Sequence, residues 1–218
     1  MSDLKIITTV LGFVQTNCYF AVNEKTRRCL IIDPADDADL IMEKCRELQI
    51  EPAAILLTHG HFDHTGAVRG LKDALNLPIY AGEGEKGVLS DPAVNGELMF
   101  VSEARRRGAK PVEADVWLKD GELIEAAGFT VKAIAAPGHT AGGVCYYAEK
   151  ENVLFSGDVL FADSFGRTDL PTGCQKTLTD SIINKLFTLP DETEVYPGHG
   201  ESTTIKREKQ SNPIHHYK

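Results

Sequence analysis

Among 218 residues there is one tryptophan, there are three methionines, and there are five cysteines with no C-x-x-C pair among them. Cys18, Cys29, Cys45, Cys145 and Cys174 therefore offer neither a thiolate zinc knuckle nor a disulfide framework. They read as reduced thiols acting as small apolar fillers in a cytoplasmic protein. Long hydrophobic runs are missing too. The longest aliphatic stretches, such as Ala53–Leu57, hold about five residues, against the ~18 that a membrane-spanning helix requires. Met1-Ser2-Asp3-Leu4-Lys5 lacks the basic-then-apolar start of a secretory signal, so a cytoplasmic location without membrane partners is expected. Positive charge is also in deficit. Lys and Arg total 23, Asp and Glu 32, and the formal net charge is −9. Such a surface repels phosphate backbones and anionic lipid, which argues against nucleic acid as a general partner. A local basic pocket stays open. No low-complexity tract or Ser/Gly linker divides the chain, and 42% hydrophobic with 25% charged residues is ordinary for a globular core. Residues 1–218 are expected to form a single domain.

Short strand-like runs alternate with helical ones. Asn17–Val22 and Cys29–Ile32 flank the polar turn Asn23-Glu24-Lys25-Thr26 and read as strands. Asp36–Leu48 reads as a helix, with an acidic first turn and Ile41, Cys45 and Leu48 at helical spacing. Pro52 then opens Ala53–Leu57, an all-apolar run suited to a strand buried on both faces. A second helix carries Val68, Leu71 and Leu75, and the stretch from Gly82 to Pro111 reads as a helical excursion with loops. Phe129–Ala135, Gly143–Ala148 and Val153–Ser156 resume the strands, and Leu178, Ile182 and Leu186 mark a late helix. There is a faint internal echo. Leu30-Ile31-Ile32-Asp33 precedes a helix and then Thr58-His59-Gly60-His61, while Leu154-Phe155-Ser156-Gly157-Asp158 precedes a helix and then Pro197-Gly198-His199-Gly200. Two similar βα halves facing one another would produce this pattern.

The pattern becomes chemically specific at His59-Gly60-His61-Phe62-Asp63-His64. The motif follows a buried strand, so its side chains sit at the carboxyl end, where open α/β sheets place their sites. His59 and His61, two apart in extended chain, project to the same side. Asp63 and His64 fall where the next helix begins, and that positive end favours a carboxylate. Imidazole and carboxylate together suit Zn²⁺, Fe or Mn²⁺ without any thiolate. His139 in Pro137-Gly138-His139-Thr140, Asp158 in Ser156-Gly157-Asp158 and His199 in Pro197-Gly198-His199-Gly200 extend the set. Each follows an apolar run and sits in a Gly-bearing turn able to aim a side chain inward.

The order and spacing of all seven resemble the metallo-β-lactamase-fold hydrolases over nearly the whole chain. That resemblance implies a four-layer αββα sandwich, two mixed β-sheets flanked by helices, with two metals at one edge between the sheets. It assigns His59, His61 and His139 to the first metal, Asp63, His64 and His199 to the second, and Asp158 to the bridge. It places Asp33 as a brace behind the ligands, although a simple turn Asp before Pro34 reads equally well. Within the family, the glyoxalase II-like branch is more similar. Thr58-His59-Gly60-His61, Pro137-Gly138-His139-Thr140-Ala141-Gly142, Gly166-Arg167-Thr168-Asp169-Leu170-Pro171 and Tyr196-Pro197-Gly198-His199-Gly200 carry that likeness, with Ser202-Thr203-Thr204 and Asn212-Pro213 after them. The small single-domain members are the nearest pattern. The chain ends nineteen residues after His199, so the C-terminal extension that supplies glutathione-binding groups in two-domain glyoxalase II has no counterpart.

On this basis the expected cofactor is two Zn²⁺ per chain, with Fe or Mn possible at either position. Asp158 and Asp63 are the expected catalytic acids. Asp158 bridges the metals around a shared water whose pKa falls to about 7, and Asp63 orients the resulting hydroxide. Two divalent ions against two carboxylates and one hydroxide leave a positive centre that polarises an acyl carbonyl. A thiolate leaving group needs no proton, whereas an amine does. An acyl-thiol or ester is therefore the expected small-molecule substrate, and S-acylglutathione is the type case. Arg167 is the candidate clamp for a substrate carboxylate; pairing with Asp169 is the competing reading. Arg105-Arg106-Arg107 reads as a solvated helix face, Trp117 as core or rim, and His215 and His216 as exposed tail residues. Three rivals stand beside the hydrolase. Persulfide dioxygenases of the same fold bind one Fe(II) through two His and one Asp, here His59, His139 and Asp158. The second is an RNA-processing nuclease of the same fold, disfavoured by the acidic charge, and the third a non-catalytic metal-binding or interaction protein, disfavoured by seven unbroken ligand positions; a lactonase stays within the hydrolase class.

Overall fold

The computed structural model describes residues 3–102 and 111–217; Arg105-Arg106-Arg107 lies outside the described residues. Two six-stranded sheets organise the chain. The first runs β1 (Leu4–Leu11), β2 (Thr16–Asn23), β3 (Arg28–Ile32), β4 (Glu51–Leu56), β5 (Ile79–Gly82), β6 (Val116–Leu118) in spatial order. The second comprises β7 (Leu123–Ala126), β8 (Phe129–Ala135), β9 (Val144–Ala148), β10 (Val153–Gly157), β13 (Glu194–Pro197) and β14 (Thr203–Thr204), ordered β14-β13-β10-β9-β8-β7. Between β10 and β13 the chain makes a small hairpin, β11 (Leu160–Phe161) with β12 (Ser164–Phe165). Both large sheets are mixed. β1–β3 pair antiparallel and β3–β6 parallel, while β10–β13 is the parallel pair of the second sheet.

Strand alternation sorts the side chains into layers. Cys18, Phe20, Cys29, Ile31 and Ile55 face one core, which also contains Ile41 and Cys45 of the helix Ala38–Leu48 and Val68 and Leu71 of the helix Val68–Leu75. Their neighbours Tyr19, Leu30, Ile32 and Leu56 face the opposite way and meet Val131, Tyr146 and Phe155 of the second sheet. Cys145, Leu154 and Val195 then point outward to Leu178 and Ile182 of the helix Gln175–Asn184. The result is the four-layer αββα sandwich. Each of these aliphatic side chains contributes up to about 1.5–3 kcal/mol by leaving water.

Three local expectations need adjustment. Pro52 lies inside β4 rather than ahead of it, and the ladder skips a residue there, with Cys29 opposite Pro52 and Leu30 opposite Ala54. Proline brings no N–H to the ladder, and the irregularity absorbs the missing bond. The late helix stops at Asn184, and Leu186 reaches the same core from a separate 3₁₀ turn, Leu186–Thr188. His215 is half-buried rather than exposed: its ring packs 5.6 Å from Phe187 and its Nε2 meets the Lys209 carbonyl at 2.9 Å. His216 is exposed, and Trp117 is half-buried against the first core with Lys86 Nζ 5.2 Å from its ring. Among the described residues no helix is long and apolar enough to cross a membrane.

The echo between the halves is real in the topology. β3 and β4 form a parallel pair joined through a helix, and so do β10 and β13. Asp33 and Asp158 follow the first strand of each pair, and His59 and His199 follow the second. All four end up at the same edge.

Candidate metal centre

Beyond the end of β4, Thr58 fixes the chain that carries the histidine motif. Its amide donates to Asp33 Oδ1 at 2.8 Å and its hydroxyl to Asp33 Oδ2 at 2.6 Å. Asp33 is buried in a left-handed conformation (φ 49°), which Asp tolerates better than most residues. His61 stands just ahead of the short helix Phe62–Thr65, which carries Asp63 and His64. His64 is fully buried. Its Nδ1 lies 2.9 Å from Asp33 Oδ2, and a carboxylate with two other donors on it calls for the proton on Nδ1, leaving Nε2 a free lone pair.

The second sheet supplies the remaining side chains. His139 Nδ1 lies 2.7 Å from the Arg167 carbonyl, which can only accept, so its Nε2 also offers a lone pair. That Nε2 stands 2.9 Å from His61 Nδ1. Asp158 leaves β10 with Oδ1 3.4 Å from His64 Nε2, and with Oδ2 3.5 Å from His199 Nε2 and 3.7 Å from His139 Nε2. His199 Nε2 is also 3.4 Å from Asp63 Oδ2, which accepts a 3.2 Å bond from Thr16 Oγ1. Gly198 makes this approach possible. A Cβ there would sit 2.2 Å from Asp158 Oδ1 and 2.6 Å from His64 Cε1.

All seven residues singled out from the sequence therefore converge. Their ligand-type atoms fall into three groups, each within 4.8 Å: His59, His61 and His139; His59, His64 and Asp158; Asp63, His64 and His199. The donor atoms pass a further test of fit. His59 Nε2, His61 Nε2, His64 Nε2 and Asp158 Oδ1 are buried and have no hydrogen-bond partner. A buried orphan of this kind costs about 1–3 kcal/mol. Several in one cluster, with only nitrogen and oxygen donors, match what Zn²⁺, Fe or Mn²⁺ would satisfy.

The electrostatics divide the histidines, burial pushing a proton off two of them and the carboxylates drawing one onto the other two. Burial, then the neighbouring His64, holds His59 well below its ordinary value. Burial and His139 bring His61 to about 4. Burial would also depress His64, but Asp158, Asp63 and Asp33 together raise it well above. Burial likewise opposes a charge on His199, yet Asp158 and Asp63 lift it to about 9. Asp158 would be raised by burial, and the facing His64 and His199 pull it well below the carboxylate range.

Two further residues change the picture drawn from the sequence. The Arg167 guanidinium is engaged by Asp169, with bonds of 2.6 and 2.7 Å from Nε and an η nitrogen. Its contribution to the cluster is the carbonyl that orients His139. Glu85 had no assigned role, and it is fully buried between the two histidine loops. One oxygen accepts from the Gly60 amide at 2.7 Å, and the other from Thr140 Oγ1 at 2.6 Å and the Gly142 amide at 2.8 Å. Burial lifts its carboxyl, and Thr140, Gly142 and Gly60 oppose the rise. Glu85 thus fastens the His59–His61 loop of one sheet to the His139 loop of the other. The available signal was Ile79-Tyr80-Ala81-Gly82-Glu83-Gly84-Glu85, the same apolar run and Gly-bearing acidic turn that marked the other site residues.

A family model described as the Metallo-beta-lactamase superfamily matches residues 11–199. The hydroxyacylglutathione hydrolase GloC of Haemophilus influenzae is 36% identical over 207 residues, which cover 92% of this chain and 92% of that protein. The crystal structure of the BLEG-1 B3 metallo-beta-lactamase superposes with a TM-score of 0.89 at 41% identity, covering 96% of this chain and 99% of its own. The structure of TTHA1623, solved in a di-iron-bound form, gives 0.81 at 34% identity, with 95% and 99% covered.

Proposed function

Because the chain belongs to the metallo-beta-lactamase superfamily, we propose that this metal-dependent hydrolase cleaves thioesters, S-acylglutathione among them. The carrying observation is that His59 Nε2, His61 Nε2, His64 Nε2 and Asp158 Oδ1 are buried without a hydrogen-bond partner, in residues whose ligand-type atoms gather in groups within 4.8 Å. In this reading His59, His61 and His139 hold one ion, Asp63, His64 and His199 the other, and Asp158 both. Support for the bridge comes from the Asp158 carboxylate, whose two oxygens reach toward His64, His199 and His139 at 3.4, 3.5 and 3.7 Å. Zn²⁺ is the proposed occupant. The di-iron form of the TTHA1623 relative supports iron as the alternative. When bound, such a pair supplies Lewis acidity and a water made acidic enough to react near neutral pH.

The chain's own groups do the rest. Asp63, held by Thr16, accepts a hydrogen bond from the attacking oxygen and aims that oxygen at the acyl carbon. Asp33 and the Arg167 carbonyl keep His64 and His139 in the tautomers that leave Nε2 open. Glu85 and Asp33 are saturated by hydrogen bonds, and neither is free to protonate a leaving group. That favours a thiolate, which departs unprotonated, over an amine. The 36% identical GloC relative is named for a hydrolase of this substrate type. Arg167 could clamp a carboxylate on the substrate by exchanging it for Asp169.

The test is metal quantification joined to a panel of S-acylglutathione, lactone, β-lactam and glutathione persulfide. Thioester turnover without O₂ uptake supports the reading. O₂ consumption on the persulfide with one iron per chain would replace it with the dioxygenase.

A further inference from the structure

A cavity of about 540 Å³ opens beside Asp63, between the β1–β2 turn and the segment that runs from Leu89 to Val101. Its apolar wall includes Leu11, Phe13, Val14, Leu89, Leu98 and Val101, and Thr16 and Asp63 line its inner end. The size is that of a small-molecule site. Its two lips are unusual for a soluble surface. Phe13 and Val14 on one side and Leu98 on the other are exposed, and so are Val10, Met99 and Phe100, which neighbour them in the chain without lining the cavity. They make up six of the eleven exposed large apolar residues among those described. Apolar side chains gathered at one opening mark a binding surface. The lips are linked by rings: Phe13 stacks on Phe62 at 5.9 Å and Phe62 on Phe100 at 5.7 Å. Among the described residues the charged groups on the wall are Asp36, Asp63, Asp73, Glu97 and Arg69, and Arg69 is 3.5 Å from Asp73.

Resting on the hydrolase reading above, we propose that this cleft binds the acyl half of the substrate and selects medium-to-long alkyl or aryl chains. Continuity decides the occupant. Asp63 belongs to the His/Asp cluster and also lines the cleft, so a carbonyl held at the centre sends its acyl chain along the cleft past the stacked Phe13 and Phe62 rings. Neutral carbon chains gain from burial here, by up to about fourfold in affinity per methylene.

The experiment compares S-acetyl, S-butyryl and S-octanoyl esters of one thiol on the metal-loaded protein. In parallel, binding is measured for ketone analogues in which a methylene replaces the sulfur. The expected kcat/KM rises at least about tenfold from acetyl to octanoyl, mainly through KM, and the octanoyl ketone binds at least about tenfold tighter than the acetyl one. Phe13→Ser and Leu98→Ser flatten both series, whereas Leu123→Ser, at an exposed position on β7, preserves both slopes. Flat series in the unaltered protein, with the acetyl ester still hydrolysed, would overturn the cleft and leave the hydrolase standing. Steep ketone binding without turnover of any thioester would keep the cleft and overturn the hydrolase.

Discussion

Asp33 and Asp158 occupy matching places in the two halves, each following the first strand of a parallel pair and each contacting His64, yet they have opposite duties. Asp33 is saturated by Thr58 N, Thr58 Oγ1 and His64 Nδ1 at 2.8, 2.6 and 2.9 Å. Asp158 keeps Oδ1 buried with no hydrogen bond. The difference lies in the neighbours rather than in the acids. Thr58 brings two donors to Asp33, whereas Gly198 brings no side chain to Asp158 and admits His64 to its face. One fold element repeated twice thus yields a hydrogen-bonded brace on one side and an open carboxylate on the other. His64 joins them, with Nδ1 on the brace and Nε2 toward the ligand.

The largest effect should come from the open acid. Asp158→Ala is expected to remove metal and activity together, with turnover down by at least about a thousandfold, while circular dichroism stays that of the folded chain. Retained turnover would break the comparison at once. Asp33→Asn should act more mildly, lowering metal affinity about 10–100-fold in a chelator competition. An equal loss in both variants would mean the two acids share one role. Glu85→Gln comes next, because an amide cannot accept from Gly60, Thr140 and Gly142 at once. A buried mismatch of about 1–3 kcal/mol should lower the melting temperature by several degrees, at ~2–4 °C per kcal/mol in a chain of this size. Metal affinity should fall by less than with Asp33→Asn. Smallest is Arg167→Ala. His139 is held by the Arg167 carbonyl, so metal content should not change, and kcat/KM on substrates without a carboxylate should move by less than about threefold. Calorimetric metal titration and the substrate panel separate these outcomes.

Much of this was legible in the sequence because it is local. β2, β3 and β8 announce themselves as short apolar runs, and the helix Ala38–Leu48 announces itself by Ile41 and Cys45 at helical spacing. Four of the seven cluster residues stood out as the motif His59-Gly60-His61-Phe62-Asp63-His64 after a buried strand, and His139, Asp158 and His199 because each sits in a Gly-bearing turn after an apolar run. What escaped was set by distance along the chain. Glu85 earns its place from Thr140 and Gly142, 55 and 57 residues away, and no local pattern points to them. The split of the late helix at Asn184 depends on Leu186 finding the core from a separate turn. His215 looked like tail because its partner, Phe187, is remote in sequence. Arg167 was ambiguous between a substrate and Asp169 until geometry put the bidentate pair in place. The apolar cleft likewise joins two lips about 85 residues apart in the chain, and neither lip alone reads as a site.

The central claim is that the orphaned His and Asp atoms form one centre for two ions, held together by Asp158. It is tested most directly by counting tightly bound metal after loading and desalting the unaltered protein and its Asp158→Ala variant. The account predicts two equivalents per chain in the first and fewer than one in the second. Two equivalents retained in Asp158→Ala, or none in the unaltered protein, would contradict it.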